Sequence, residues 1–554
     1  MFTEKPTLAV YGIQDRTNSP YPYFVHDHGM VLMYKGRVVK ALALERVTRR
    51  KHDNTLFLSI YDLLKNEGLL KPDDYDLVFT DNVVGRAFIS ACGRFRFEGP
   101  LKEILVPGIE EGKCWWLDRE KKAYVLNHEL AHISAALPFY GGFKENSLLV
   151  HFDGGASLSN FSAWHYKDGK ITPVEAHWKF RRLTSMFNEN ALVFGIIGAK
   201  MYEQNSVPGK MMGLAAYGSY SEEIREWLEE NDFFKTIWHK KSDFFAAAEK
   251  KFGWTKKHLH TGDDFLQDII ATMHGIFVRE SVSYMAEMQE RTGAEYLYYS
   301  GGSALNIVAN TALFDKGIFK DIFIPPACED SGLALGAAAF VEWQKHRIAG
   351  EHDPYIINWG LKDTKVTYTE KDLKDIAGLL MQNKVIGICN GVAEAGPRAL
   401  GNRSIIALAN SKKLAEKVSM HHKKREWYRP VAPVMLLKNA KYFTGRKTIP
   451  ELSRFMLLDL DVKNELKSEI AGVVHVDGTS RIQTLFTRGD NPFLSDLLTL
   501  LDEKYGIKAL INTSFNVRGE PIVHTCDDAL NSAVNMGLDA VVLNGKLTEL
   551  NNPK

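Results

Sequence analysis

Ser147-Leu-Leu-Val-His-Phe-Asp-Gly-Gly-Ala-Ser157 sets a run of apolar residues against an aspartate and a pair of glycines. A run of that length, ended by turn residues, reads as a strand buried on both faces. The glycines read as the tight turn after it, where backbone amides approach a phosphate or a sugar. Tyr296-Leu-Tyr-Tyr-Ser-Gly-Gly-Ser-Ala-Leu-Asn306 repeats the arrangement. Outward from these two, Leu8 to Gly12, Lys384 to Asn390, Gly472 to Asp477, Lys508 to Asn512 and Asp539 to Asn544 are runs of the same kind, all expected to be strands. Amphipathic stretches such as Glu222 to Leu228 and Asp264 to Arg291 lie between several of them, which makes the chain an α/β protein. At 554 residues it is too long for one core, and about three or four lobes are expected. Trp343 to Glu370 reads as a linker and puts the main boundary near residue 360.

A charged fraction of 25% and an apolar fraction of 45% are those of an ordinary soluble globular chain. The formal net charge of +1 gives no reason to expect nucleic acid or an anionic membrane as a partner. Cys92, Cys114, Cys328, Cys389 and Cys526 are scattered, so neither a zinc knuckle nor a disulfide framework is indicated. The opening Met-Phe-Thr-Glu-Lys-Pro has no basic segment followed by an apolar one, and no run approaches membrane-spanning length. A cytoplasmic enzyme is the expectation.

Gly396-Pro-Arg-Ala-Leu-Gly-Asn-Arg-Ser404 and Lys423-Lys-Arg-Glu-Trp-Tyr-Arg-Pro-Val-Ala-Pro433 put Arg398, Arg403, Lys423, Arg425 and Arg429 in segments broken by Gly and Pro. Guanidinium groups match phosphate and carboxylate oxygens two at a time, so the cluster reads as a nucleotide or phosphoryl site. A solvated basic surface would interleave Lys with Glu at helical spacing instead.

Asn127-His-Glu-Leu-Ala-His132 follows the strand-like Ala123 to Leu126, with Asn127 in N-cap position. His128 and His132 are i and i+4, on one helix face, and can share a metal. The string also fits His-Glu-x-x-His, which raises a zinc protease with Glu129 as its base; two helical histidines capping a core are the plainer alternative. Cys328-Glu-Asp-Ser-Gly332 places Asp330 beside the start of a small-residue helix, most simply as its cap and less simply as a ligand to a metal or ribose.

Together these residues resemble the ATP-dependent O-carbamoyltransferases, a family that includes nodulation and antibiotic-tailoring enzymes. The matching pieces run through nearly the whole chain in family order. They are His26-Asp27, Glu45-Arg-Val-Thr-Arg-Arg-Lys-His52, Asn127 to His132, Asp153-Gly-Gly155 and Gly209 to Gly218. Ser300-Gly-Gly302, Glu329 to Gly332, Gly396 to Ser404, Arg425 to Pro430, His475 to Arg481, Asn512 to Asn516 and Gly519 to Ile522 continue the series.

The resemblance implies a two-lobed actin/hexokinase-like (ASKHA) domain over residues 1–360 and a smaller α/β, YrdC-like domain over 361–554. It implies ferrous iron (Fe2+) on His128, His132, Asp153 and Asp330, a donor set that suits iron as well as zinc. Glu129 then becomes a bystander. It also implies that carbamoyl phosphate and ATP, the latter with Mg2+, meet in the second domain. There Arg398, Arg403, Arg425 and Arg481 clamp the charges, and attack at the α-phosphate gives carbamoyl-AMP and pyrophosphate. The carbamoyl group would pass by a shielded route to a hydroxyl of a small-molecule or glycan acceptor in the first domain. His26, ahead of His28, is the candidate base, and Lys51 the contact to the AMP phosphate. Gly154, Gly155, Lys210, Gly301, Gly302, Asn306, Lys423, Arg429, Ser514 and Asn516 are the further nucleotide-binding positions.

Some positions depart from the family pattern: a Tyr- and Pro-rich insertion from Asp15 to Tyr23, His28-Gly29 after the His-Asp pair, and Ala395 before Gly-Pro-Arg. The insertion lies where an acceptor would enter. Aromatic residues at Pro20 to Phe24, with only Asp15 and Asp27 as acids, lead to the expectation of a neutral or weakly charged hydroxylated acceptor, a glycan or polyketide-like molecule. Three rival readings stand beside this one. Threonylcarbamoyl transfer to tRNA adenosine has the neutral total charge against it. A metalloprotease leaves the arginine cluster without a task, and a catalytically silent nucleotide-binding regulator would not need intact metal and arginine sets.

Overall fold

The computed structural model describes residues 2–12, 26–81, 87–89, 95–98, 108–155, 159–188, 195, 197–199, 201–231, 241–347, 350 and 353–550. The strand β1 (Thr7–Tyr11) is buried at every position. Leu8 and Val10 enter one core and Ala9 and Tyr11 another, which is why the strand is apolar without alternation. β2 (Gly29–Tyr34) and β3 (Arg37–Ala43) follow as antiparallel neighbours, and β4 (Asp76–Asp81) pairs with β1 in parallel. β5 (Ala87–Ile89), β6 (Arg96–Glu98), β7 (Ile109–Trp116) and β8 (Arg119–Asn127) complete an eight-stranded sheet of order β3-β2-β1-β4-β8-β7-β6-β5.

The second sheet repeats this plan. β9 (Ser147–Phe152), β10 (Phe161–Lys167), β11 (Lys170–His177), β12 (Tyr296–Ser300) and β13 (Asp321–Phe323) have the order β11-β10-β9-β12-β13. β9 is antiparallel to β10 and parallel to β12, as β1 is to β2 and β4. β13 continues in parallel as β8 does after β4. Two lobes built on one topology are the actin/hexokinase-like arrangement.

Further on come β14 (Tyr355–Ile357), β15 (Ile386–Cys389), β16 (Ala393–Glu394), β17 (Arg403–Leu408), β18 (Ala432–Leu436), β19 (Leu460–Asp461) and β20 (Thr479–Ser480). β21 (Gln483–Leu485), β22 (Leu510–Ser514), β23 (Ala540–Leu543) and β24 (Lys546–Glu549) end the series. Seven of these form a mixed sheet of order β21-β18-β22-β17-β15-β23-β24, flanked by helices such as Glu370–Met381 and Pro492–Tyr505. Its core is continuous with that of the second lobe: Ile276, Met285 and Leu313 belong to one buried cluster with Ile405, Leu457 and Leu497.

The helices expected at Glu222 and Asp264 are Glu222–Glu230 and Asp264–Thr292. Two expectations change. Residues 353–360, read as part of a linker, are tied down on both sides. β14 pairs with β16, Asn358 bonds Ala41 and Val39, and the carbonyl of buried Trp359 lies 2.8 Å from His524 Nε2. Gly472 to Asp477 is not a strand. The Gly472 amide donates to Ala409 O, a Cβ there would stand 2.6 Å from Ser411 O, and His475 N turns back onto Thr479 O. The four described cysteines, Cys114, Cys328, Cys389 and Cys526, are free, and no helix among the described residues is long and apolar enough to cross a membrane.

After the second lobe the chain returns to the first through the helix Leu333–His346, which packs on β1, β2, β4 and the helix His128–Ser134. The crossing is made at Gly336, where a Cβ would lie 1.8 Å from Ala131 O. Gly336→Ala is therefore expected to destabilise the protein by about 1–3 kcal/mol through overpacking, read as a lower urea midpoint. Gly378→Ala, in the helix Glu370–Met381 with nothing within 4 Å, is the contrast and should raise the midpoint slightly.

Candidate functional site

The carboxyl ends of parallel strands β1, β8, β9 and β12 open on one cleft, the place where open α/β sheets gather ligands. β8 runs directly into the helix His128–Ser134, capped by Asn127, whose Oδ1 accepts from Leu130 N at 2.8 Å as the sequence indicates. One helical turn brings His128 Nε2 and His132 Nε2 to 2.9 Å. His132 Nδ1 lies 3.1 Å from Cys328 O, a carbonyl that can only accept, so Nδ1 carries a proton and Nε2 is the nitrogen that could face a metal. Asp330 Oδ1 stands 3.3 Å from His132 Nε2 and 3.7 Å from His128 Nε2, and Asp153 Oδ2 stands 3.8 Å from His132 Nε2.

Two ligand atoms each about 2.1 Å from a metal lie about 3.0 Å apart at a right angle and about 3.4 Å apart at a tetrahedral one. The spacings and the mixed N/O donors of His128, His132, Asp153 and Asp330 fit a divalent transition metal on that measure. Asp330 is not the helix cap. The helix Leu333–His346 starts at Gly332 with no side-chain cap. Glu329 caps only the short turn Asp330–Gly332 before it, accepting from Ser331 N at 2.7 Å, while Asp330 is buried and accepts from Tyr11 Oη–H at 2.8 Å.

Electrostatics pull these groups apart. Burial, with the charge of His132, pushes His128 down to about 3. Burial opposes the charge on His132 too, but the hydrogen bond and charge of Asp330 raise it. Asp153 is raised by burial and by Asp330. Asp330 itself resists burial because His26 and His132 hold it well below the usual carboxylate range. Glu329 rises to about 7 through burial and the charge of Asp27.

His26 stands at the edge of this group. Its Nδ1 is 2.7 Å from Asp27 Oδ2, its Nε2 is 3.7 Å from Asp330 Oδ2, and Asp27 Oδ1 is 3.0 Å from His52 Nδ1. Burial lowers His26, but Asp330 and Asp27 outweigh it and bring it to about 10. His28 also lines the cleft and is pushed by burial to about 3. Lys51 reaches the cleft with its ammonium on Glu45, at 3.0 and 2.8 Å. The insertion Asp15 to Tyr23 and the aromatic stretch Pro20 to Phe24 lie outside the described residues.

A single cavity of about 720 Å³ joins this cleft to the C-terminal sheet. His26, Asp153 and Asp330 line one end; Arg398, Lys423, Arg425 and Arg429 line the other. Burial and mutual repulsion oppose the charges of Arg398, Lys423 and Arg425, and Arg481 suffers the same beside them without lining the cavity. Nε of Arg398 and of Arg481 has no hydrogen-bond partner among the described residues. Lys423 is caged by Asn516 Oδ1 at 3.0 Å and Ser514 Oγ at 3.3 Å, with the Ser514 and Asn516 carbonyls.

Arg403 must be reassigned. All five of its guanidinium hydrogen bonds go to the backbone carbonyls of Asn390, Gly391, Asn402 and His524, and the side chain is 1% exposed. It has no donor left for a phosphate and serves as a tie inside the domain. Lys210 lines the cavity, yet its ammonium is held by Glu203 and Glu426, each at 2.9 Å. Asn306 caps the helix Ile307–Asp315 through Ala309 N. Gly301, at φ +101°, lets β12 pass over Phe152, whose carbonyl a Cβ would meet at 2.2 Å. Gly302 N donates to Asp153 Oδ2 and Gly154 N to Oδ1, so these amides orient the aspartate. Gly155 does not line the cavity. Glu129 is wholly buried, accepts from Ser159 N at 3.2 Å and does not line the cavity, which leaves a protease without its base.

Several functional groups are not apparent from motifs. Arg518 makes a two-bond contact with Glu203, 2.9 Å each, and reaches Glu426 at 3.2 Å, across the boundary between the second lobe and the C-terminal sheet. Arg518 and Glu203 are 315 residues apart in sequence, so no local signal could pair them. Arg46 and Arg49 dock the first lobe by donating to the carbonyls of Gly396, Pro521 and Ile522.

The Carbamoyltransferase N-terminus family model matches residues 97–339, and Carbamoyltransferase C-terminus matches residues 377–549. Nodulation protein NolNO of Sinorhizobium fredii is 28% identical, over 95% of this chain and 79% of that protein. Nodulation protein NolO of Bradyrhizobium diazoefficiens is 30% identical, over 76% of this chain and 78% of that protein. Among solved structures, a ROK family glucokinase from Streptomyces griseus aligns over 61% of this chain and 99% of its own, at 10% identity and a TM-score of 0.28.

Three outcomes follow from this geometry. Purified protein should carry about one equivalent of transition metal, and His128→Ala should lose most of it by elemental analysis. Arg398→Gln removes a repelled charge, so it should raise the thermal midpoint of the ligand-free protein while abolishing the further rise that pyrophosphate gives the wild type. Arg403→Gln should instead cost about 3 kcal/mol or more, because it strands buried carbonyls.

Proposed function

The chain belongs to the carbamoyltransferase family, and from that premise we propose that it is an ATP-dependent O-carbamoyltransferase whose two half-reactions share one cavity. The observation that carries the reading is the continuity of that cavity from Arg398, Lys423 and Arg425 to His26, Asp153 and Asp330. A buried group of like charges is costly unless an anion neutralises it, and a nucleoside triphosphate with carbamoyl phosphate is such an anion.

Atom balance gives the first half. Water cleaves the P–O bond of carbamoyl phosphate, releasing orthophosphate and carbamate. A carbamate oxygen then attacks the α-phosphorus of ATP, pyrophosphate leaves, and carbamoyl-AMP forms. Arg398, Arg425 and Arg429 neutralise and align the phosphates, which is most of what phosphoryl chemistry asks of a protein. Carbamoyl-AMP is a mixed anhydride that water destroys, so transfer within one cavity shortens its exposure.

In the second half, His26 accepts the proton of the acceptor hydroxyl as its oxygen attacks the carbamoyl carbon. The bond to the AMP oxygen breaks, and Lys51 stabilises the departing phosphate. His26 shares Asp330 with His128 and His132, so its proton affinity falls when that carboxylate is engaged elsewhere. A divalent metal, ferrous iron in this reading, held by His128, His132, Asp153 and Asp330 would supply Lewis-acid polarisation of the carbamoyl carbonyl. The acceptor is a small-molecule or glycan hydroxyl of neutral or weak charge.

The halves should separate by mutation. Arg398→Ala should lower carbamoyl-phosphate-dependent pyrophosphate release by about 100-fold or more. His132→Ala should keep that release within about threefold of wild type while carbamoylated product disappears, since it removes a group used only in transfer. Equal loss of both activities in both variants would refute two stations in one cavity.

A further inference from the structure

β9 carries His151 two residues before Asp153, so both side chains leave the same face of the strand. His151 is wholly buried, and neither of its ring nitrogens has a hydrogen-bond partner among the described residues. A buried imidazole forfeits its hydration and ordinarily recovers it through at least one hydrogen bond. Here the strand register sets Ser162 and Ser300 beside it, yet neither hydroxyl is bonded to it: Ser162 Oγ pairs with Ser159 Oγ, and Ser300 Oγ donates to Cys328 O. What the ring does face is the pair of helical histidines. Its centroid lies 5.2 Å from that of His132, nearly parallel, and 6.1 Å from that of His128, edge-on. One nitrogen from each of His128, His132 and His151 falls within 4.8 Å of the other two, and the overlapping group His132, Asp153 and Asp330 obeys the same limit.

A ring kept only for stacking would be better filled by Phe, which has no polar atoms to bury. We propose that His151 is a fifth protein ligand of the metal centre, making its donor set three imidazoles and two carboxylates. This rests on the reading that His128, His132, Asp153 and Asp330 hold a divalent transition metal. Five donors exceed the four of a closed tetrahedral zinc site, and three neutral nitrogens shift preference away from Mg2+ and Ca2+ and toward first-row transition metals. The residue types explain why His151 escapes motif reading: it sits inside an apolar strand, where a lone histidine looks like core.

The full chain, stripped with a chelator and reloaded with Co2+, tests this without any turnover. In the proton NMR spectrum each ligating imidazole gives a paramagnetically shifted ring N–H signal that vanishes in D2O. The wild type should show three, and His151→Phe, which preserves ring volume against His132, should show two. Chelator competition should show Co2+ held about 100-fold or more weakly by the variant, beyond the usual effect of a residue outside the ligand set. Two shifted N–H signals in the wild type would overturn the inference while leaving the four-residue centre intact, whatever the variant does. Failure of the wild type to bind Co2+ would overturn the centre itself. His151→Asn gives the same comparison of affinity if His151→Phe does not fold.

Discussion

The carboxylate of Asp330 holds the first half of this molecule in working order. It arrives on the segment that leads from the second lobe back into the first, and Tyr11, His26, His128 and His132 all turn towards it. Those four come from the end of β1, the segment before β2 and the helix after β8, so one acid organises three stretches of the first lobe. Its burial would disfavour the charge if the imidazoles did not face it. Gly336 stands behind this arrangement, because the helix that follows Asp330 must touch the histidine helix with no side chain between them.

The other end of the cavity is built on the opposite principle. Arg398, Arg425 and Arg481 are buried near one another with little to neutralise them, an arrangement that destabilises the ligand-free fold and favours an anionic ligand. The surrounding structure has to hold such a wall rigidly. Arg403 does this with five bonds to carbonyls, and Tyr355 and Gln483 brace the Gly396 to Ser404 loop through Leu400 O. The difference between Arg398 and Arg403, five residues apart in one motif, is the difference between a group left unsatisfied for a ligand and a group satisfied by the protein.

Between the two ends, Glu203, Lys210, Glu426 and Arg518 form an ion network that spans the second lobe and the C-terminal sheet. A shared apolar core lies beneath it, so the second lobe and the C-terminal sheet are joined by both packing and ion pairs. The stapled stretch around Trp359 adds a tie from the first lobe to His524.

The alternation of apolar runs with amphipathic stretches was sufficient to place β1, β9, β12, β15, β22 and β23 and the long helices, because strand and helix periods are local properties of the chain. The i, i+4 histidines, the Asn127 cap and the glycine turns were equally legible, since each is decided within a few residues. Gly472 to Asp477 was misread because Gly472 N is held by the distant Ala409 O, which no local pattern reveals, and the rest of the segment folds into turns, Val473 N on Ile470 O and His475 N on Thr479 O. Tertiary structure alone decided which arginines face the cavity, that Lys210 is neutralised by Glu203 and Glu426, that Asp330 turns to Tyr11 and the histidines instead of capping the helix, and that His151 joins the histidine pair. These are questions of which way a side chain turns and what long-range partner meets it there. Composition and spacing carry the type of a group, whereas its partner, and so its task, is settled only when distant strands bring their ends to one cleft.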